Sequence, residues 1–382
     1  AKNSDIPYRM TVMVRGSQAA DLEEDIYGAK VGEVVGPFDG GNNMYLLKII
    51  QYEPKACTKI RKVQLIPKGN CKTDKTLFEK YLKKYIEENN IDTIVTSGPP
   101  HSLHHIGLQL KKELNIKWFA DFRDPWTTIG YHKALKLSSY ANKKHKTLEK
   151  EVLNSADTII VTSKTTKTEF QAITSKPIEV ITNGYDVEKI ERQTLDEKFT
   201  LAHIGSFLSE RNPRILWQAL QELVFENTDF KNDFRLKLIG ATSQEVLDTI
   251  SEFKLNDYVQ NLGYVSHQEA VEHQRKSQVL LLIEINSTAT KSIIPGKLFE
   301  YMVSERPIIA IGPEGSDFAE IITATNTGVF FTYDEKEKLK ALLLKYYQEY
   351  QNQNLKVHAV GLQQYSRKSL TEQLVQILNR NS

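Results

Sequence analysis

The stretch with the clearest chemical potential is Ile294-Pro295-Gly296-Lys297-Leu298-Phe299-Glu300-Tyr301-Met302, followed by Arg306-Pro307. Gly296 admits a close approach of backbone to a ligand, and the helix it opens offers N–H groups and a positive dipole end to phosphate. Glu300, one turn further in, is placed to accept hydroxyl hydrogen bonds, so the spacing suits a nucleoside diphosphate with its ribose. A Pro-Gly turn before an ordinary helix with a solvated Glu is the competing interpretation. A second group, Asp121-Phe122-Arg123-Asp124, ends a predicted strand. There a carboxylate could orient a hydroxyl or stabilise oxocarbenium-like charge, and a buried Asp–Arg pair that fixes the loop is the alternative. His101, with His104 or His105, could act on an acceptor or a phosphate, although a histidine at a helix start is more often structural. Lys133–Lys150, containing Lys143-Lys144-His145-Lys146, forms a basic amphipathic stretch that suits anionic lipid, or else a solvated face balanced by Glu149 and Glu151.

Alternating strands and helices are needed to position these groups. From residue 93 onward short apolar runs recur, each followed by a turn-like cluster and an amphipathic stretch, the pattern of parallel α/β sheets. The runs are 93–96, 116–120, 158–162 and 178–181, then, after a gap, 200–204, 235–239, 279–283, 307–311 and 328–332. The polar segment after Asn183-Gly184-Tyr185-Asp186 has no strand pattern and marks a domain boundary. Helical stretches at 213–225, 243–253, 296–303, 336–350 and 366–379 are enough to cover both faces of the second sheet, which makes 197–382 a doubly wound domain. The first seventy residues differ. Val31–Phe38, the turn Asp39–Asn43 and Met44–Ile50 form a hairpin pattern, with a further strand-like run at Val63–Pro67.

Composition narrows the function. The 382 residues hold 50 Lys and Arg against 48 Asp and Glu, a net charge of +2 that gives no support to nucleic acid as the main partner. With only Cys57 and Cys71, neither a disulfide framework nor a zinc site is indicated, and a reducing cytoplasm is expected. No apolar run reaches membrane-spanning length, and the N-terminal residues show no secretory signal.

The run Pro295–Pro307, Asn183–Asp186 and Gly205-Ser206-Phe207-Leu208-Ser209-Glu210-Arg211-Asn212-Pro213 together resemble the GT-B glycosyltransferases of family four. Ser97–Ser102 and Trp118–Trp126 look like a branch of that family found in Bacteroidetes-type bacteria. The resemblance covers residues 70–382. It implies an α/β fold with a GT-B-like pair of Rossmann-type doubly wound domains, and an enzyme that moves a sugar from a nucleotide donor with retention and without a metal. No cofactor is implied beyond the nucleotide sugar itself, which is a substrate. Glu300 matches the glutamate that holds the donor ribose, and Arg211 falls where a lysine neutralises the diphosphate. Lys297 adds a phosphate contact, and Gly205, Ser206, Gly240, Pro295 and Gly296 complete the implied donor set. Asp121, Arg123, Asp124 and His101 are the candidates facing the sugar and the acceptor. Two positions depart from the family pattern: Ser206 stands where a basic residue usually follows the glycine, and Ser292 where the first glutamate of the Glu-x7-Glu pair falls.

Residues 26–50 are similar to a segment of parvulin-type peptidyl-prolyl isomerases and their periplasmic chaperone relatives. The expected organisation is a small antiparallel β unit (1–69), an incomplete acceptor-side Rossmann-like domain without its first strand and glycine-rich turn (70–190), and a donor-side domain (191–382). The implied partners are a nucleotide-diphosphate sugar and a glycan or lipid-linked acceptor, with no nucleic acid. The implied place is the cytoplasm, with peripheral contact at the inner face of a membrane. Nucleotide binding without turnover, or peptide binding through residues 1–68, are the rival functions.

Overall fold

The computed structural model describes the backbone of residues 34–39 and 44–48, and residues 81–130, 132, 135–186 and 193–380. The chain divides into two units, Ala1–Leu77 and Phe78–Ser382. In the first, strand β1 (Val34–Asp39) pairs antiparallel with β2 (Met44–Lys48), Val34 opposite Lys48 and Asp39 opposite Met44. The register slips between Val35 and Phe38, where Gly36-Pro37 interrupts the ladder because proline has no N–H to donate. This is the expected hairpin; the run expected at 63–67 lies outside the described residues.

The second unit holds two parallel sheets. The first is β3 (Thr93–Gly98), β4 (Lys117–Phe122), β5 (Thr158–Val161) and β6 (Ile178–Val180), neighbours in that order. Helices Ser102–Glu113, Ser139–Ser155 and Lys164–Gln171 connect successive strands. All four residues of β5 are buried, as a strand covered on both faces requires. Helix Ser102–Glu113 is pressed against β3 and β4 at Gly107, where a Cβ would lie 2.4 Å from Trp118 Nε1 and 2.7 Å from Thr96 Cγ2. Thr96 Oγ1 ties this contact together, accepting from Trp118 Nε1 at 2.9 Å and meeting His104 Nδ1 at 2.8 Å.

The second sheet contains β7 (Phe199–Ile204), β8 (Phe234–Ile239), β9 (Val259–Gly263), β10 (Val279–Ile283), β11 (Ile308–Ile311) and β12 (Gly328–Phe331). Their spatial order is β12-β11-β10-β7-β8-β9, the doubly wound order, which reverses direction between β7 and β10. Alternate residues of each central strand enter separate cores. Phe199 and Leu201 pack with Trp217 and Phe230 on one face, whereas Ala202 and Ile204 pack with Leu282 and Tyr301 on the other.

The nine parallel strands expected from the apolar runs are all present. Strand β9 is additional; Gln260, Asn261 and Leu262 of this edge strand are exposed, so no apolar run marks it. Helix His267–Lys276 is also additional. Its surface is polar nearly all round, and its only sequence mark is the Ser266/Glu269 capping box. The last helix, Arg367–Arg380, is where expectation and structure part. Leu370 and Ile377 pack with Phe119 and Ile160 of the first sheet and with Ile181 just after β6, so this helix does not cover the second. A parallel bridge between Tyr185 and Ser366 brings it there. Its apolar stripe reads identically for either sheet, and only the path of the chain decides.

Among the described residues no helix is long and apolar enough to cross a membrane. Gly107→Ala is expected to cost about 1–3 kcal/mol through overpacking against Trp118. A thermal melt should fall by several degrees, and an unchanged melt would show that the contact yields freely.

Candidate functional site

The crevice lies at the carboxyl ends of β7 and β10. Strand β7 stops at Gly205, whose φ of +108° disfavours any side chain. Gly240, at the end of β8, has φ +115°, and a Cβ there would lie 2.6 Å from the Gly205 carbonyl oxygen. Gly240 thus acts through Gly205, letting the two strand-end backbones touch. Gly205 N–H donates to the Ile239 carbonyl at 2.7 Å, and Gly240 N–H to the Gly263 carbonyl at 2.6 Å.

Lys297 reaches over this floor. Its Nζ donates to the Ile204 carbonyl at 3.1 Å and meets His203 Nε2 at 3.3 Å, and a Cβ on Gly205 would lie 3.8 Å from it. His203 Nδ1 faces the Leu281 carbonyl at 3.3 Å, so the neutral ring donates through Nδ1 and accepts from the lysine. Burial, followed by the charge of Lys297, holds the His203 pKa well below its usual value. Ser206 contributes a backbone hydrogen bond to the same ring. Tyr301 locks the floor to helix Lys297–Met302, its hydroxyl accepting from Ile204 N–H at 3.0 Å.

Arg211 enters from the short 3-10 turn Ser209–Arg211, with Nη2 3.3 Å and 3.5 Å from the two oxygens of Glu284. Glu284 is the first residue beyond β10 and is fully buried; it accepts from the Ile285 N–H at 2.8 Å, and its carbonyl accepts from the Tyr333 hydroxyl at 2.8 Å. Arg211 Nε is buried without a partner among the described residues. Burial lowers the Lys297 pKa to about 7, with Arg211 adding to the shift and Glu284 opposing it. Glu284 is the carboxylate nearest the two basic groups, and an incoming anion would restore the lysine's proton.

Glu300 accepts from the buried Gln274 amide at 3.1 Å, one turn beyond Lys297. Gly296 is exposed, and a Cβ there would meet nothing within 4 Å. The helix is six residues long, and its Leu298 and Phe299 N–H groups already donate to the carbonyls of Pro295 and Gly296, at 2.9 and 3.3 Å. The helix start thus has fewer donors for phosphate than the sequence implied, and the Lys297 and Arg211 side chains carry the positive charge.

The other candidates gather at the end of the first sheet. Asp121 Oδ2 accepts from the Ser97 hydroxyl at 2.8 Å, while Oδ1 lies 3.6 Å from Arg123 Nη1. Arg123 extends to the Ile181 carbonyl at 3.2 Å and to the Asn183 side chain, tying β4 to the segment after β6. Burial raises the carboxyl pKa of both Asp121 and Asp124 against the opposing charge of Arg123. His101 stacks on Trp126, ring centroids 5.2 Å apart, and burial lowers its pKa to about 4, so it is neutral at physiological pH and not a counter-charge for phosphate. Among the described residues no hydrogen bond or ion pair joins this group to Lys297, Arg211 or Glu300. The two halves meet elsewhere: Thr165 donates its N–H and hydroxyl to Asp317 at 3.0 and 2.8 Å, and Lys164 pairs with Glu320 at 2.7 Å. Sequence reasoning missed Glu284, His203 and Gln274. A carboxylate directly after an apolar strand, as at Glu284, was the available signal.

Two parallel α/β sheets, one doubly wound with a charged crevice at its reversal point, define the GT-B fold. Residues 49–189 match the model for Glycosyltransferase Family 4, and residues 198–375 the model for Glycosyl transferases group 1. These two domains in succession make the chain a glycosyltransferase. The fold is similar to that of the sucrose-phosphate synthase from Thermosynechococcus elongatus (TM-score 0.57, 15% identity, covering 88% of this chain and 83% of that one). It is also similar to Anabaena HepE in complex with UDP and glucose (TM-score 0.57, 14% identity, 82% and 84%). The lipopolysaccharide outer core galactosyltransferase WaaB is comparably similar (TM-score 0.56, 14% identity, 81% of each chain). No curated protein resembles the chain closely enough to count as a relative. The first match begins at residue 49, and no comparison supports the isomerase-like or Bacteroidetes-branch resemblances.

The Lys297 environment has a measurable consequence. The unfolded chain keeps this lysine protonated up to about 10.5, the folded chain only up to about 7, so between those values the unfolded state binds the extra proton. Stability should therefore rise with pH across that window, by at most about 1.4 kcal/mol per pH unit. Lys297→Met should lack this component, so the difference between parent and variant in urea denaturation should change from about pH 7 to about pH 9.

Proposed function

We propose that the protein transfers a sugar from a nucleoside-diphosphate donor to a hydroxyl of a glycan or lipid-linked saccharide. The observation that carries this reading is the convergence of Lys297 and Arg211 beside Gly205, at the reversal point of a doubly wound sheet. The diphosphate lies against the two cations, and Glu300 accepts from the ribose hydroxyls in place of the Gln274 amide. The sugar projects toward the Asp121 and Asp124 side. The bond from the sugar's anomeric carbon to the diphosphate oxygen breaks and one to the acceptor oxygen forms, the acceptor proton leaving on the departing diphosphate. Retention of configuration and metal-free stabilisation of the leaving group by Arg211 and Lys297 belong to this proposal. Among the solved neighbours, HepE is described in complex with UDP and glucose, which makes UDP-sugars the first donors to try. We place the reaction in the cytoplasm, at the inner face of a membrane.

The ion pair that occupies Arg211 favours one second reading, nucleotide binding without turnover. A panel of UDP-, GDP-, ADP- and TDP-sugars, assayed by thermal shift and by release of free nucleotide, separates the two. A donor at one hundred times its dissociation constant should stabilise the parent by about 2.7 kcal/mol. Glu300→Ala should weaken binding roughly 10- to 100-fold, and Arg211→Ala should lower kcat by roughly 100- to 1,000-fold. Stabilisation without nucleotide release supports the second reading, and no stabilisation by any donor overturns both.

A further inference from the structure

Arg211 and Glu284 face each other but are held very unequally. Glu284 is fixed from three sides: its N–H donates to the Ile311 carbonyl at 2.9 Å, its carbonyl accepts from the Tyr333 hydroxyl at 2.8 Å, and its Oε1 accepts from the Ile285 N–H at 2.8 Å. Its side chain is fully buried. Arg211 projects from the three-residue turn Ser209–Arg211 and keeps 23% of its side chain exposed. It reaches Glu284 through Nη2, at 3.3 and 3.5 Å, where a charge-assisted pair usually closes to about 2.8 Å. Its buried Nε has no hydrogen-bond partner among the described residues. The pair is therefore long and one-pronged, although a guanidinium can grip an anion with two parallel bonds. If the arginine lets go, Oε1 keeps the Ile285 N–H, so the buried carboxylate is not wholly stripped of donors.

We propose that Glu284 is a positioning residue that acts through Arg211 as an exchangeable counter-ion. It holds the guanidinium in the empty crevice, yields it to the diphosphate of the donor, and takes it back as the nucleoside diphosphate departs. The inference rests on the diphosphate reading above and adds to it a carboxylate that competes with the ligand for one cation. Such competition weakens the loaded state relative to the empty one and speeds release of the product, because the arginine always has a second partner to return to.

Calorimetric titration of the full chain with UDP, and with inorganic pyrophosphate as the same diphosphate without a base, tests this. E284Q keeps the shape of the side chain and an acceptor for the Ile285 N–H but removes the charge. E284D keeps the charge and draws it back from Arg211, and it decides the matter on its own if E284Q does not fold. Both variants should bind UDP more tightly than the parent, E284Q by roughly tenfold and E284D by less, and UDP should leave both more slowly in stopped-flow displacement. A merely structural role for Glu284 would not raise affinity. In an R211A background, E284Q should lose most of its effect. Unchanged or weaker UDP binding in the single variants overturns the proposal, as does a tightening that persists undiminished in R211A, which would show direct repulsion of the ligand instead of exchange. A parent that binds neither UDP nor pyrophosphate overturns the diphosphate reading itself and this proposal with it.

Discussion

The order of the second sheet leaves one place where adjacent strands send their connections to opposite faces, between β7 and β10. The loops that leave the sheet there carry Gly205, Arg211 and Glu284, and the rest of the candidate site is arranged around them. Gly205 and Gly240 keep its floor bare, because at φ +108° and +115° a side chain would strain the backbone, and at Gly240 it would also strike the neighbouring strand. Over that floor the chain places the Lys297 amine and the Arg211 guanidinium, the latter paired with Glu284. Two cations near one carboxylate in a sparsely solvated crevice are costly in isolation, and the cost appears in the lowered pKa of Lys297. An arrangement that is poorly balanced alone becomes better balanced around an anion, which the diphosphate of the proposed donor would supply.

The first sheet is built differently. Its strand-end carboxylate Asp121 is held by Ser97, and Arg123 reaches past it to Ile181 and Asn183. The histidines beside them stack with Phe122 and Trp126 and are neutral through burial. Rigidity at this end is consistent with a wall against which a substrate is positioned. The chain then crosses back at Ser366, and its last helix covers β4 and β5 of the first sheet, while Thr165 and Lys164 contact Asp317 and Glu320 beside the second.

Much of this was legible in the sequence because buried parallel strands must be continuously apolar. Runs such as Val279–Ile283 and Pro307–Ile311 announce themselves, and a lysine and a glutamate three residues apart after a glycine single out helix Lys297–Met302. What was not legible has physical reasons. Strand β9 lies at an edge and shows water its side chains, and helix His267–Lys276 is polar nearly all round; neither carries periodicity. The covering role of helix Arg367–Arg380 depends on where the chain leads it. The balance around Arg211 depends on Glu284, more than seventy positions away in sequence, and only the sheet order brings the two together. The balancing of Lys143, Lys144 and Lys146 by Glu149 fails for a similar reason, since only the fold shows that this carboxylate points inward to Thr127.

The central claim is that Lys297 and Arg211 together form a diphosphate site. Calorimetric titration of the parent and of Lys297→Ala with UDP, UMP and uridine tests it most directly. Affinity in the parent should fall steeply from UDP to UMP to uridine, and the lysine variant should flatten that series while leaving uridine unaffected. A parent that binds the three equally, or a variant that keeps the full preference for UDP, would contradict the account.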